Sequence, residues 1–357
     1  MKIFEPFSLG EITLNNKIVM APMTRCRAIG NVPNALMTEY YSRRASTGLI
    51  ITEGTAPSIN GLGYARIPGA YTDEQINGWE SIATGVHANE GKIFVQLMHT
   101  GRVSTSLNLP EGGITMAPSA IPLDAIEMYT DEKGMQPHDV PVEMSLEQIA
   151  ATQEEFVNSS IKLVEAGIDG IELHSANGYL LDQFLNPKTN TRTDEYGGNF
   201  KNRARFVVEI AQKVVAAVGA NKVGIRFSPY GAFNDLESHF EDVVELYTYL
   251  AEEMNTLGLA YIHIVDQRVA MNAPEFGSDI RKTIREHFNG ALIGGGDIHE
   301  ANQAEAKLDE GYDLVYVGRP LISNPTFVEK IKKGEALTPV DPDTFYSADT
   351  QGYLDYN

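Results

Sequence analysis

Where the apolar run "GIDGIELHS" ends, the chain delivers an imidazole, a carboxamide and a phenol within six positions: His174, Asn177 and Tyr179. All three side chains donate hydrogen bonds, and imidazole and phenol are also proton-transfer groups. Such a set can hold a polar atom of a ligand. A lone strand-end histidine is more often satisfied by its own neighbours, and spacing alone says only that His174 and Asn177 leave one strand-to-helix turn.

Other polar residues stand at the ends of similar apolar runs. They are Thr24 and Cys26, Glu53, Gln96 and His99, Arg226, His263 and Asp266, Asp297, and Arg319. A buried Arg, Gln or His costs several kcal/mol if left unpaired, so their concentration calls for polar partners. Mutual hydrogen bonding could supply these, but for the whole set a bound cofactor is the better explanation. Two runs end in "GGGD" and "VGRP". Glycines such as Gly295, Gly296 and Gly318 let backbone N–H groups approach a phosphate, a following helix offers its positive end, and Arg319 can grip the anion bidentately.

The elements that must position these groups follow from periodicity. Short β-branched runs cover residues 17–22, 48–54, 92–99, 167–175, 222–229, 259–266, 290–297 and 312–320, with helical patterns between them. That alternation predicts a parallel sheet, and eight strands close a (β/α)8 TIM barrel, whose site lies at the C-terminal strand ends. Thr72 with Gln75, Ser145 with Gln148 and Asp297 with Glu300 read as capping boxes. The segment 145–167, apolar at Leu146, Ile149, Phe156, Ile161, Leu163 and Val164, should pack outside the barrel. Residues 1–16 read as an N-terminal β-hairpin plugging the barrel floor, and 100–144 as a long excursion after the third strand, either a lid or binding loop or a simply mobile one. No linker splits residues 1–357, so one domain is expected.

Composition narrows the class. A hydrophobic fraction of 43% without long low-complexity runs describes a folded core, and a net charge of -20 disfavours nucleic acid and anionic membranes, which need basic patches. Cys26 is the only cysteine, which rules out an intrachain disulfide and a cysteine-based zinc site. Neither a signal-type leader nor an apolar stretch long enough to span a bilayer is present, so a cytoplasmic protein is expected. The glycine-rich "GLGYAR" at 61–66 neither follows a strand nor opens a helix, so a dinucleotide fingerprint fails, and no Walker motif occurs. A metal-dependent barrel hydrolase stays as an alternative, with His99, His174, His263 and Asp266 the eligible ligands.

"APMTRCRA" (21–28), "QLMHTGR" (96–102), "LHSANGYLLDQFLNPKTNTRTDEYGG" (173–198), "GIRFSP" (224–229) and "VGRPLISNP" (317–325) together resemble the flavin-dependent ene-reductases of the old yellow enzyme family, classical branch. The motifs fall in family order over nearly the whole chain. The resemblance implies non-covalent FMN held by Pro22, Thr24, Gly54, Gln96, Arg226, Gly295, Gly296, Gly318 and Arg319. Thr24 would face the flavin O4 side, Gln96 the pyrimidine edge, Arg226 the N1 and C2 carbonyl side, and Arg319 with the glycines the phosphate. His174 and Asn177 match the family's donor pair for the substrate oxygen, and Tyr179 the phenol that protonates the α-carbon. Tyr64 and Tyr353 resemble pocket-lining tyrosines. Met98 stands where many relatives carry tryptophan, softening the pocket wall. Cys26 lies two positions beyond Thr24, where another branch places a flavin-modulating cysteine, and is read as structural.

The implied reaction is ping-pong: NADPH or NADH reduces FMN at N5, and an α,β-unsaturated carbonyl or nitro compound takes the hydride from the same N5. The expected partners are these small molecules, with the chain a monomer or small homo-oligomer. A protein that binds flavin or phenolic ligands with little turnover is the alternative from a different class.

Overall fold

A computed structural model describes residues 1–124, 126–267 and 279–356. Of the expected excursion, only Ala125 lies outside them. Each of the eight apolar runs supplies one parallel strand: β3 (Ile18–Met20), β4 (Leu49–Ile51), β5 (Ile93–Leu97), β10 (Gly170–Ser175), β11 (Val223–Phe227), β12 (Tyr261–Ile264), β13 (Ala291–Gly296) and β14 (Leu314–Val317). They close into a barrel in the order β10-β11-β12-β13-β14-β3-β4-β5. The strands are shorter than the runs because each run also takes in residues of the flanking loops.

Register decides which polar side chains meet. Glu172 of β10 lies opposite Gln96 of β5, while His174 lies opposite Arg226 of β11, itself opposite His263 of β12. Side chains two apart in a strand share a face, so Glu172 and His174 point the same way. Beneath them the interior is apolar, with Val19, Ile51, Phe94, Tyr261, Ile293 and Leu314 in one buried cluster. The expected N-terminal hairpin forms from β1 (Phe7–Leu9) and β2 (Ile12–Leu14). Its Leu9 and Leu14 join that interior cluster, closing the barrel floor. Gly10 turns the hairpin at φ 56°, where a side chain would also meet Asn221.

The outer helices obey local chemistry, with one correction in their caps. Thr72–Gln75 and Ser145–Gln148 form reciprocal capping boxes as expected. Asp297 and Glu300 do not: the helix Ala301–Asp309 starts one turn later, with Glu300 at its N-cap bonded to Gln303, and Asp297 bonds His299 instead. On the helix Leu146–Glu165 the apolar reading also needs amendment. Ile149, Phe156 and Leu163 face inward, but Leu146 is 48% exposed, while Thr152, Ser159 and Ser160 are buried.

Two segments build walls above the rim. In the excursion, β6 (Met116–Ala117) pairs with β9 (Val142–Glu143), and β7 (Glu127–Thr130) with β8 (Gly134–Pro137) forms an antiparallel hairpin. The C-terminal segment is held by two buried arginines of "TRCRA". Arg27 donates to the carbonyls of Thr344, Phe345, Asp349 and Gln351, and Arg25 to those of Phe345 and Gly352. Hydrogen bonds from a charged donor contribute about 1.5–3 kcal/mol each, so losing even one shifts a local opening equilibrium about tenfold or more. Arg27→Ala is therefore expected to speed limited proteolysis within 344–352 by at least roughly that factor, while cooperative unfolding of the barrel persists. A cleavage rate equal to that of the unmutated chain would contradict the clasp.

Candidate active site

The strand ends open into a cavity of about 990 Å³, with a second of about 280 Å³ beside it. Pro22, Asn177 and Arg226 stand on the walls of both, so the two spaces lie side by side. Of the predicted residues, Pro22, Thr24, Gly54, Gln96, Arg226, His174, Asn177, Tyr179, Tyr64 and Met98 line the larger space. Gly296, Gly318 and Arg319 line the smaller. The hairpin of β7 and β8 contributes Met128, Tyr129 and Met135 to the larger wall, so part of the excursion covers the cavity.

Beneath the cavity lies a carboxylate that the motifs did not single out. Glu172 is fully buried; its Oε1 accepts from Gln96 Nε2 at 2.7 Å, and its Oε2 is paired with His263 Nδ1 at 2.9 Å. Desolvation pushes this carboxyl up, but the hydrogen bond with His263, the Arg226 charge and the hydrogen bond from Gln96 hold it below the usual carboxylate range. Burial drives His263 down to about 4, so at neutral pH a neutral imidazole donates to an ionised Glu172. Gln96 thus spends its amide N–H on Glu172 and is not short of a partner, contrary to the expectation from sequence. Arg226 is: its buried Nε has no hydrogen-bond partner among the described residues, and neither does His174 Nδ1.

The three opening residues converge. The His174 and Tyr179 rings meet edge to face at 4.9 Å, and the Tyr179 hydroxyl lies 3.0 Å from that of Tyr64. Burial, reinforced by Arg226 and His263, holds His174 well below the ordinary histidine range, so it is a neutral donor. Burial pushes the Tyr179 phenol up to about 12, keeping its proton at neutral pH. Asn177 sits at φ 60°, a left-handed conformation that asparagine tolerates better than most residues. Its N–H donates to Ser228 Oγ at 2.8 Å, and Ser228 in turn donates to Asp182 at 3.0 Å.

Several expected positions fall elsewhere. Tyr353 does not line the cavity: it is buried, stacked on Tyr40 at 4.1 Å, with Arg25 and Arg27 over its ring. Tyr346, Ser347 and Ala348 are the C-terminal wall residues instead. Gly295 is set back from both cavities, and its lack of a side chain answers to packing, since a Cβ there would lie 2.3 Å from the Tyr316 carbonyl. Among the described residues no heavy atom lies within 4 Å of such a Cβ at Gly296, and at Gly318 the nearest is 3.7 Å away, so these residues leave space beside the exposed Arg319. At Gly54 a Cβ would lie 2.6 Å from the Met98 sulfur, so a side chain there would push the flexible end of Met98 aside. Glu53 is buried against the Arg25 N–H and the Tyr41 hydroxyl. His99 is buried behind the wall, its Nδ1 accepting from the Gly101 N–H. Cys26 does reach the cavity, but burial and then Glu53 push its thiol up to about 12, so it presents no thiolate.

Glu172 could have been found as the one charge inside "GIELHS", and the C-terminal wall could not, because it depends on long-range clasps. The residues fit a flavin mononucleotide on the structure's own terms. Arg226, whose Nε has no hydrogen-bond partner among the described residues, lines a cavity of suitable size, and the adjoining space is lined by Gly296, Gly318 and the exposed Arg319. Among the described residues no three His, Cys, Asp or Glu side chains form a metal-ligand set, which leaves the hydrolase alternative without a candidate centre.

Comparison with known proteins agrees with this geometry. The profile of the NADH:flavin oxidoreductase / NADH oxidase family matches residues 2–338. The chain is 37% identical to 12-oxophytodienoate reductase 7 of Oryza sativa subsp. japonica, covering 99% of this chain and 94% of that protein. It is also 37% identical to a "probable flavin mononucleotide-dependent alkene reductase" of Leishmania infantum, covering 99% and 96%. The solved structure of morphinone reductase in complex with tetrahydroNAD superposes with a TM-score of 0.93 at 38% identity, over 100% of this chain and 97% of that one.

The buried histidines fix a pH dependence. Burial pushes His99 down to about 3, below the ~6.5 of a solvated histidine, so under acid the unfolded chain binds a proton that the folded chain refuses. Its contribution is complete above roughly pH 6.5 and declines as pH falls toward the folded value, by about 1.4 kcal/mol per unit. Relative to the unmutated chain, His99→Gln should flatten the pH dependence of unfolding free energy by about that slope between roughly pH 6 and 4. Parallel curves from denaturant unfolding would contradict the assignment.

Proposed function

The chain belongs to the NADH:flavin oxidoreductase / NADH oxidase family and is an enzyme of that class, as its resemblance to old yellow enzymes implies; from that premise we propose that it reduces the C=C bond of α,β-unsaturated carbonyl or nitro compounds with electrons from NADH or NADPH. The observation that carries this reading is the convergence of two neutral donors, His174 and Asn177, and a protonated phenol, Tyr179, on one cavity wall that also bears the orphaned Arg226. That the Leishmania relative is named an alkene reductase supports alkene reduction, and the complex of morphinone reductase with tetrahydroNAD supports a nicotinamide as the reductant.

Pro22, Thr24, Gly54, Gln96 and Arg226 would hold the FMN ring system, and Gly296, Gly318 and Arg319 its phosphate. Bound FMN supplies the hydride chemistry, accepting from the nicotinamide and donating to the alkene. The chain's own residues do the rest. As the β-carbon gains hydride, negative charge builds on the carbonyl or nitro oxygen, and His174 and Asn177 stabilise that charge more than the ground state. Neutral His174 acts here as a hydrogen-bond donor that keeps its proton. Tyr179 holds a proton at neutral pH and delivers it to the α-carbon. The Tyr64 hydroxyl, 3.0 Å away, fixes where that phenol points. Carried in one domain, this chemistry suits a cytoplasmic monomer or small homo-oligomer, and no helix among the described residues is long and apolar enough to cross a membrane.

Single-turnover kinetics separate the roles. His174→Ala and Asn177→Ala are each expected to slow reoxidation of the reduced enzyme by an enone by the equivalent of about 2–4 kcal/mol, the range for losing an oxyanion donor, with FMN still bound. Tyr179→Phe should leave reduction by the nicotinamide intact and slow the enone step. Enone reduction at the unmutated rate in both donor variants would overturn the assignment.

A further inference from the structure

Asn177 can serve as a donor only if its amide is turned the right way, and a carboxamide can present oxygen or nitrogen with almost the same shape. The group that decides is Gln267, 2% exposed and just beyond β12. Its Oε1 accepts from the backbone N–H groups of Ala232 and Phe233, at 2.8 and 3.1 Å. Backbone N–H groups cannot accept, so the Gln267 oxygen must face them and its Nε2 must face away. That nitrogen donates to Asn177 Oδ1 at 2.9 Å. A donor on that side forces the Asn177 oxygen toward Gln267 and leaves the Asn177 NH₂ for the cavity whose wall it forms. The Asn177 backbone is anchored independently: its N–H donates to Ser228 and its carbonyl accepts from Asn234 Nδ2 at 2.8 Å.

We propose that Gln267 is a positioning residue that sets the orientation of the Asn177 amide, transmitting the fixed polarity of the Ala232–Phe233 backbone to the substrate-facing donor. This rests on the reading of Asn177 as a donor to the substrate oxygen. The lock matters because the wrong orientation is worse than an absent side chain. An amide oxygen turned into the cavity would oppose the developing negative charge that an N–H stabilises.

Gln267→Glu reverses the lock with nearly the same shape. One carboxylate oxygen still accepts from Ala232 and Phe233, but the other is an acceptor facing Asn177, which then turns its NH₂ toward it and its oxygen to the cavity. Gln267→Leu, which removes the lock without reversing it, serves if the first variant does not fold. The experiment is a double-mutant cycle on the FMN-loaded enzyme, read as the rate of anaerobic reoxidation by 2-cyclohexenone. In the unmutated background Gln267→Glu is expected to slow this step by roughly tenfold or more, with Gln267→Leu milder. In the Asn177→Ala background either change should alter it by less than about twofold, because no amide remains to orient. Equal slowing in both backgrounds would mark Gln267 as merely structural and overturn the proposal, as would unmutated rates for both Gln267 variants beside a slow Asn177→Ala. An unimpaired Asn177→Ala would remove the donor reading itself, and this inference with it.

Discussion

A carboxylate buried in the middle of a β-barrel is the constraint around which the site is arranged. Glu172 has no contact with solvent, and an unpaired charge there would cost several kcal/mol. The barrel answers by register: β5 brings Gln96 to one oxygen, and the next strands bring Arg226 and His263 within reach. Because Gln96 and His263 direct hydrogen-bonding atoms at Glu172, their orientations are settled before any ligand arrives. Such preorganisation is what electrostatic catalysis requires, since donors that need not reorient stabilise developing charge most effectively.

Above that ionic layer the strand ends hand over to irregular backbone. Cys26, Arg66, Asn177 and Asn234 all border the cavity with positive φ, so the loops at the rim bend more sharply than side-chain-bearing residues prefer. Each bend is secured by specific bonds. Ser228 and Asp182 hold the Asn177 turn, while Arg66 joins three walls through the Cys26 and Tyr346 carbonyls and its ion pair with Asp131. The roof is therefore built from pieces distant in sequence, joined by arginine clasps and by an apolar cluster that includes Leu62, Met98, Val103, Met128 and Tyr179.

That division explains what could be read from the chain alone. The eight strands were legible because each is a short, mostly apolar run set between helical patterns, and His174, Asn177 and Tyr179 because they close one such run in a dense motif. Tyr353 misled because its local surroundings resemble a pocket-lining segment, whereas its place is decided by stacking on Tyr40, far away in the chain. Gly295 misled because a glycine-rich turn suits both a phosphate and a close strand contact, and here Tyr316 claims it. Asp297 lost its cap to Glu300 because the loop runs one turn further before the helix starts. Glu172 and Gln267 belong to no conspicuous motif, and their roles emerge only when register and loop closure bring partners to them.

If the rim residues hold FMN as proposed, the loaded enzyme should pass electrons from a nicotinamide to an activated alkene. The direct test is an anaerobic titration of the flavin-free chain with FMN, followed by NADH or NADPH and then by an enone, monitored by visible absorbance. The proposed function requires uptake of FMN with a yellow flavin spectrum, bleaching by the nicotinamide and recovery of the spectrum on adding the enone. A chain that remains colourless with FMN, or one whose bleached spectrum no enone restores, would contradict it.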